Sequence, residues 1–399
     1  MKRTNRRSPS GSRTDLVVAS LEAWDEIWRR NQHLVAGLLR TRPDLRVLFV
    51  EPSADPLYAL RRGALPRLGR GLRPGPVLDG VAEDRLWLFE PTKVLPRAVH
   101  SGADARLASA TVRAARRLGL LAPTLWVNDP SAAALLDATR WPAMYDVTDD
   151  WTTAHRGRTE NARLVANERR LLEDCAEVVV CSPALAERKS GATRVTLVTN
   201  GVDLVRYRTP APRPADLPTG RVVLYVGTVH RDRFDVEVCA ATAWRLKEHG
   251  TDPATVVLVG PSLLDDADRA TLRSAGVMIL GARPFETVPG YLQHADVLLV
   301  PHIVDDFTDS LDPIKLYEYR AVGRPVVATP VAGFRETNRD LVTTASAASF
   351  PDAVADVLDR TPLGAGLGPA DEEIPTWATQ VSLVGAVLDR VREDPPIPR

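Results

Sequence analysis

Lys315 and Glu318 stand three residues apart in the run Asp312-Pro313-Ile314-Lys315-Leu316-Tyr317-Glu318-Tyr319-Arg320-Ala321-Val322-Gly323. The run reads as a short helix with both ends marked. Asp312 suits the N-cap, Pro313 the first helical position, and Gly323 the residue that stops the helix. Residues three apart share a helix face, here near the N-terminal end, where free N–H groups favour an anion. A cation for phosphate and a carboxylate for ribose hydroxyls, one turn apart, suit a sugar nucleotide. The plain alternative is an i,i+3 ion pair on a solvated face, contributing ~0.2–0.5 kcal/mol.

Other groups have chemical potential of their own. Gly227 ends an apolar run, which lets a phosphate approach the backbone, and His230, Arg231 and Arg233 follow directly. Those arginines could equally pair with Asp232 or Asp235. Asp305, Asp306, Asp309 and Asp312 form an acidic cluster, but a metal there needs the backbone to fold around it. Asp149 and Asp150 follow the apolar run 143–147 and could position or deprotonate a hydroxyl, or act as cap and turn residues. Trp24, Trp28, Arg30 and Gln32 follow the first apolar run. Aromatic faces beside guanidinium and amide groups suit sugar binding, although Trp28 could equally be core. His33 reads as structural.

These residues need elements to position them. A chain of 399 residues has length for two or three domains. Short apolar runs at 16–20, 46–52, 86–90, 124–128, 143–147, 176–182 and 195–199 alternate with helical stretches, and a second set lies at 222–227, 255–260, 277–281, 295–301 and 325–329. Each set predicts a doubly wound α/β domain with a mainly parallel sheet, its ligands beyond the carboxyl ends of the strands. The expected division is a disordered basic tail at 1–13, an N-terminal domain at 14–208 and a proline-rich linker at 209–220. A C-terminal domain at 221–372 follows, then a helix and tail at 373–399 that cross back to the N-terminal domain. Lys plus Arg and Asp plus Glu both number 51, so nothing in the charge balance attracts nucleic acid. Cys175, Cys181 and Cys239 show neither a metal spacing nor a disulfide framework, which fits a reducing cytoplasm. No apolar run reaches the length of a membrane span, and the first 13 residues lack the apolar core of a signal peptide.

Together the motifs carry a resemblance. Tyr225-Val226-Gly227-Thr228, Val257-Leu258-Val259-Gly260-Pro261, Ala295-Asp296-Val297-Leu298-Leu299-Val300-Pro301 and the Lys315–Glu318–Gly323–Pro325 pattern resemble the donor-binding half of family 4-like glycosyltransferases of the GT-B fold. Asn200-Gly201-Val202-Asp203 also recurs in such enzymes. The stretches from Trp24 to His33 and from Tyr145 to Trp151 are similar to a branch grouped with teichuronic acid biosynthesis. The resemblance implies two Rossmann-like domains facing across a cleft and transfer from a nucleotide-sugar donor without a metal cofactor. It implies leaving-group roles for Arg231 and Lys315, with Arg233 as the competing choice, and ribose binding by Glu318. Gly227, Thr228, Ser310 and Leu316 fall in the matched donor-binding pattern. Trp24, Arg30 and Gln32 are expected to bind the acceptor, with Asp149 and Asp150 presenting its hydroxyl. Ser310 departs from the pattern, because family members often carry a Glu there, eight residues before the one matched by Glu318. Asp309 or Asp312 could substitute.

The expected function is therefore a cytoplasmic, retaining glycosyltransferase in surface-polysaccharide or glycoconjugate synthesis. Its expected partners are a UDP- or GDP-linked sugar and a carbohydrate or lipid-linked acceptor. A nucleotide-sugar epimerase of the same fold and a non-catalytic partner subunit remain alternatives. Arg61, Arg62, Arg67, Arg70 and Arg73 punctuate a Gly/Pro-containing apolar segment at 57–76. It reads either as a flexible solvated loop or as a peripheral contact with the inner face of the plasma membrane.

Overall fold

A computed structural model describes residues 14–61, 63–94, 102–150, 158–192, 194–248, 253–337, 340–364, 366–369 and 373–393. The basic tail at 1–13, Arg62 and Trp151 lie outside the described residues. The chain forms two compact units. One is built on Arg29–Val198 and takes in the first strand and the chain from Val381; the other is built on Thr199–Gln380 with the short stretch Glu26–Trp28.

The first unit holds an eight-stranded sheet of β1 (Thr14–Ala19), β2 (Leu45–Val50), β3 (Gly71–Pro74), β4 (Leu86–Glu90), β5 (Thr124–Val127), β6 (Ala143–Val147), β7 (Glu177–Val180) and β8 (Val195–Leu197). Their order is β3-β4-β2-β1-β5-β6-β7-β8, and all pairs are parallel except β3 with β4. The second holds β9 (Arg221–Val226), β10 (Ala254–Val259), β11 (Met278–Gly281), β12 (Val297–Val300), β13 (Val326–Ala328) and β14 (Val342–Thr344), ordered β11-β10-β9-β12-β13-β14 and wholly parallel.

Both faces of the second sheet are covered, and alternation along β9 shows how. Val222, Leu224 and Val226 join one apolar cluster, while Val223 and Tyr225 join the other. That is why the strand reads as one continuous apolar run. Two strands escape the sequence pattern. β3 is Gly-Leu-Arg-Pro, a composition tolerated because it pairs on one side only, at the sheet edge. β14 is a three-residue edge strand with two threonines.

The proline-rich run read as a linker is held against the second unit. The Gln293 side chain donates to the carbonyls of Tyr207 and Thr209 and accepts from the Ala211 N–H, and Asp216 meets Arg283 and Tyr291. The division between units accordingly falls ahead of this run, at Val198/Thr199. The last helix, Trp377–Glu393, counts with the first unit from Val381 onward. There Asp389 takes both Arg42 nitrogens at 2.7 Å and Arg390 meets the buried Glu177.

Candidate functional site

In the second sheet β9 lies between β10 and β12, so the strand order reverses beside it. The crevice beyond the carboxyl ends of such strands is where open α/β sheets bind ligands. Two glycines shape it. Gly227 (φ 144°) and Gly260 (φ 136°) occupy backbone that side chains disfavour, and a Cβ on Gly260 would collide with the Gly227 carbonyl. A Cβ on Gly227 would come 2.9 Å from Lys315 Nζ, so the bare backbone there is what admits the amine.

Lys315 lies in the first turn of the helix Ile314–Val322, which Gly323 ends in the left-handed conformation as expected. The N-terminal end differs from expectation. Pro313 is the cap residue and no side chain caps it. The Asp312 carboxylate instead accepts from the Tyr317 hydroxyl at 2.6 Å and from the Asn200 N–H. Asp312 thus ties Asn200 to the helix.

The Lys315 amine donates to the Tyr225 hydroxyl at 2.7 Å and lies 3.3 Å from His302 Nε2. Tyr225 in turn donates to the Thr228 carbonyl at 3.2 Å and lies 3.2 Å from the same imidazole nitrogen. Burial holds the Lys315 ammonium well below the usual lysine range, and the Arg233 charge pushes the same way, against a smaller pull from Glu318. Burial also keeps His302 neutral, helped by Lys315 and Arg233. No ion pair links Lys315 to Glu318. The Glu318 carboxylate accepts from the Tyr207 hydroxyl, and burial pushes its pKa up.

The two arginines separate. Arg231 turns to Glu237, at 2.5 and 2.7 Å, and to Asp268 at 3.2 Å, and its hydrogen bond holds Glu237 down to about 2. Arg233 meets Asp232 at 3.2 Å, lies over the Phe307 ring, and is a charge felt by Lys315 and His302. Arg233, not Arg231, is therefore the cation beside Lys315. Thr228 contributes its carbonyl, as described. Leu316 is a core residue, packed in the apolar cluster under the helix. Ser310 is 0% exposed and donates to the Phe307 carbonyl, so its hydroxyl faces inward. Asp309 is paired with Arg335 at 2.9 Å and Asp305 accepts from the Thr308 N–H. Among the described residues no group of His, Cys, Asp and Glu is placed to hold a metal.

The sequence-predicted residues of the first unit take structural places. Trp24 is buried edge-on against Phe49, its N–H donating to Glu51. Gln32 closes the start of the helix Arg30–Thr41, accepting from the Arg29 N–H and donating to the Asp25 carbonyl. Arg30 forms a buried ion pair with Asp146, which also accepts from the Trp126 indole. Asp150 is buried between Arg188 (2.9 Å) and Lys189 (3.7 Å). Asp149 alone of the five is half-buried, with a long 3.4 Å contact to the Thr148 hydroxyl. Trp24, Arg30 and Gln32, expected at the acceptor, each have partners within the fold. Sequence reading missed Tyr225, His302 and Tyr207. His302 had a usable signal, since it directly follows the strand run 295–301.

Residues 220–360 match the family model described as glycosyl transferases group 1. Over 226 residues, 51% of this chain, the sequence is 25% identical to a Bacillus subtilis (strain 168) protein named as a teichuronic acid biosynthesis glycosyltransferase, TuaH. That match spans only 55% of the relative's length. An alpha,alpha-trehalose-phosphate synthase (UDP-forming) from Burkholderia vietnamiensis aligns over 96% of this chain and 99% of its own, with TM-score 0.61 and 12% identity. The OtsA apo structure aligns over 96% of both chains, with TM-score 0.60 and 13% identity. Two α/β units with parallel-rich sheets in this order are the GT-B type of fold.

Proposed function

We propose that this chain transfers a sugar from a nucleotide-sugar donor to a hydroxyl acceptor, with retention, in the synthesis of a surface polysaccharide or related glycoconjugate. The observation that carries the reading is the Lys315 amine, held by the neutral Tyr225 and His302 beside Gly227, where the strand order reverses. Among the described residues the Lys315 nitrogen has no ion-pair partner, only the smaller pull of Glu318. The diphosphate of a donor supplies one, and its charge grows as the bond from the anomeric carbon to phosphate breaks. Arg233 adds the second cation, so the reading needs no metal. Glu318, oriented by Tyr207, accepts the ribose hydroxyls. The acceptor oxygen bonds to the anomeric carbon on the face the phosphate leaves, and the departing phosphate oxygen takes the acceptor's proton. No strong protein base is then required, which agrees with Asp150 being neutralised and leaves Asp149 to orient the acceptor. The teichuronic acid name of the B. subtilis relative supports a polysaccharide product, and the free cysteines support a cytoplasmic site of action.

Ser310 favours a second reading, nucleotide-sugar binding without transfer, because its hydroxyl faces inward and neither Asp309 nor Asp312 replaces the usual carboxylate. Thermal unfolding with UDP, GDP, ADP and dTDP, with and without divalent metal, tests both. Saturation to a hundredfold over the dissociation constant adds about 2.7 kcal/mol, a readable shift. A metal-independent shift with one nucleotide, lost in Glu318→Ala, is the expected result. No shift with any nucleotide sinks the donor site. A shift without sugar release to water or to any acceptor favours the second reading.

A further inference from the structure

The first unit carries a surface that its fold does not use. The helix Pro56–Arg61 has no buried residue, and Leu57, Tyr58, Leu60, Leu65 and Leu68 expose between 37% and 92% of their area. Contiguous exposed apolar groups of this kind mark an interaction surface. The same segment is one-signed. Residues 57–76 contain Arg61, Arg62, Arg67, Arg70 and Arg73 and no Asp or Glu, in a chain of zero net charge.

Part of that charge has a structural use. Arg73 meets Glu51 at 2.5 Å, Arg70 meets Glu90 at 2.8 Å and Glu51 at 3.3 Å, and Arg67 meets Glu90 at 2.6 Å. Glu51 and Glu90 are buried, so they anchor the edge strand β3 from below. The arginines outnumber these two carboxylates, and the Arg67 side chain stays 63% exposed. The anchored strand holds the leucine-bearing stretch before it at the surface.

We propose that this plaque seats the first unit on an anionic lipid surface. The occupant follows from charge. A second copy would bring arginine against arginine. Residues 1–13 are also basic and without acid, so the N-terminal segment of this chain does not complement it. Lipid phosphates satisfy the guanidinium groups while the leucine and tyrosine tips reach the acyl boundary, the pairing that holds interfacial segments. This stands apart from the donor site, since it uses none of its residues.

Flotation of the full chain with vesicles of phosphatidylcholine, alone or mixed with phosphatidylglycerol, tests it. The chain should float with the anionic vesicles only and release as salt is raised. Arg61→Glu and the double change Leu65→Ser with Leu68→Ser should each weaken binding by about tenfold or more, since each removes a surface charge or two buried tips. Both variants should keep the parent's thermal unfolding and nucleotide shift, because the changed side chains are exposed. No flotation, equal flotation on both vesicle types, or undiminished flotation of the variants overturns the proposal. Capture of an acidic protein that the variants release, without vesicle binding, overturns it in favour of a protein partner.

Discussion

The strand ends of the two sheets solve the problem of buried charge in opposite ways. In the first unit Arg30 faces Asp146, Asp150 faces Arg188 and Lys189, and Glu51 and Glu90 face arginines. Each of these carboxylates meets a cation within the fold. In the second unit Lys315 meets a phenol and a neutral imidazole, with Arg233 as a second cation nearby and Glu318 tied to Tyr207. A buried charge without a partner costs stability, so a fold retains one where something outside the fold completes it. Neutralised charges hold the first unit together; in the second, the amine with neutral partners is the centre of the proposed donor site.

The sharpest way to break that contrast is to remove a partner on the first side. Asp146→Ala leaves the Arg30 guanidinium buried and the Trp126 indole without its acceptor. Loss of one member of a buried pair destabilises by ~3–5 kcal/mol. Urea unfolding should show the midpoint fall accordingly, whereas nucleotide binding by the protein that remains folded should be unchanged. A midpoint within error of the parent would mean that this pair is not structural.

The mirror experiment is Lys315→Met. Its binding of the preferred nucleotide should weaken tenfold to a hundredfold, the scale of a charged hydrogen bond of ~1.5–3 kcal/mol. Its stability should hold or rise, because a desolvated cation is replaced by an apolar chain of similar length. A fall in both would reduce Lys315 to a structural residue like Arg30. Proton linkage sharpens the same point. Lys315 has a folded pKa lowered below its ordinary 10.5, chiefly by burial. Between those two values the unfolded chain binds more protons, so the parent gains stability as pH rises through that window, and Lys315→Met should lack that gain. A bound diphosphate restores the ammonium, so nucleotide binding in the upper part of the window should take up a proton. Calorimetry in buffers of different ionisation enthalpy reads that uptake, and it should vanish in Lys315→Met.

How far the chain could be read in advance follows the same divide. Continuous apolar runs announced the buried strands of both sheets, and the helix start at Lys315 was legible from Pro313 and Gly323. Trp24, Arg30 and Gln32 misled because a type suited to sugar binding is equally suited to burial with a partner. The partners of Arg30 and Trp24, Asp146 and Glu51, lie 116 and 27 residues away, beyond what local spacing can show. Arg231 misled for a related reason: Glu237 and Asp268 on later helices capture it and leave Arg233 beside the amine. Tyr225 was hidden inside the strand pattern, where it reads as one more apolar residue although its hydroxyl reaches the crevice.

The smallest expected effect is also the most discriminating. Tyr225→Phe keeps the ring packed against Phe234 and removes only the oxygen that accepts from Lys315. If that hydroxyl merely solvates a stranded amine, its loss should leave nucleotide affinity unchanged and lower stability alone. If it aims the amine at the donor, affinity should fall several-fold, in line with ~0.5–1.5 kcal/mol for one hydrogen bond. The change should then be absent in the Lys315→Met background, where nothing remains to aim. Additive losses in the double variant would show that Tyr225 acts on the ligand by a route other than Lys315, since independent sites add and coupled ones do not.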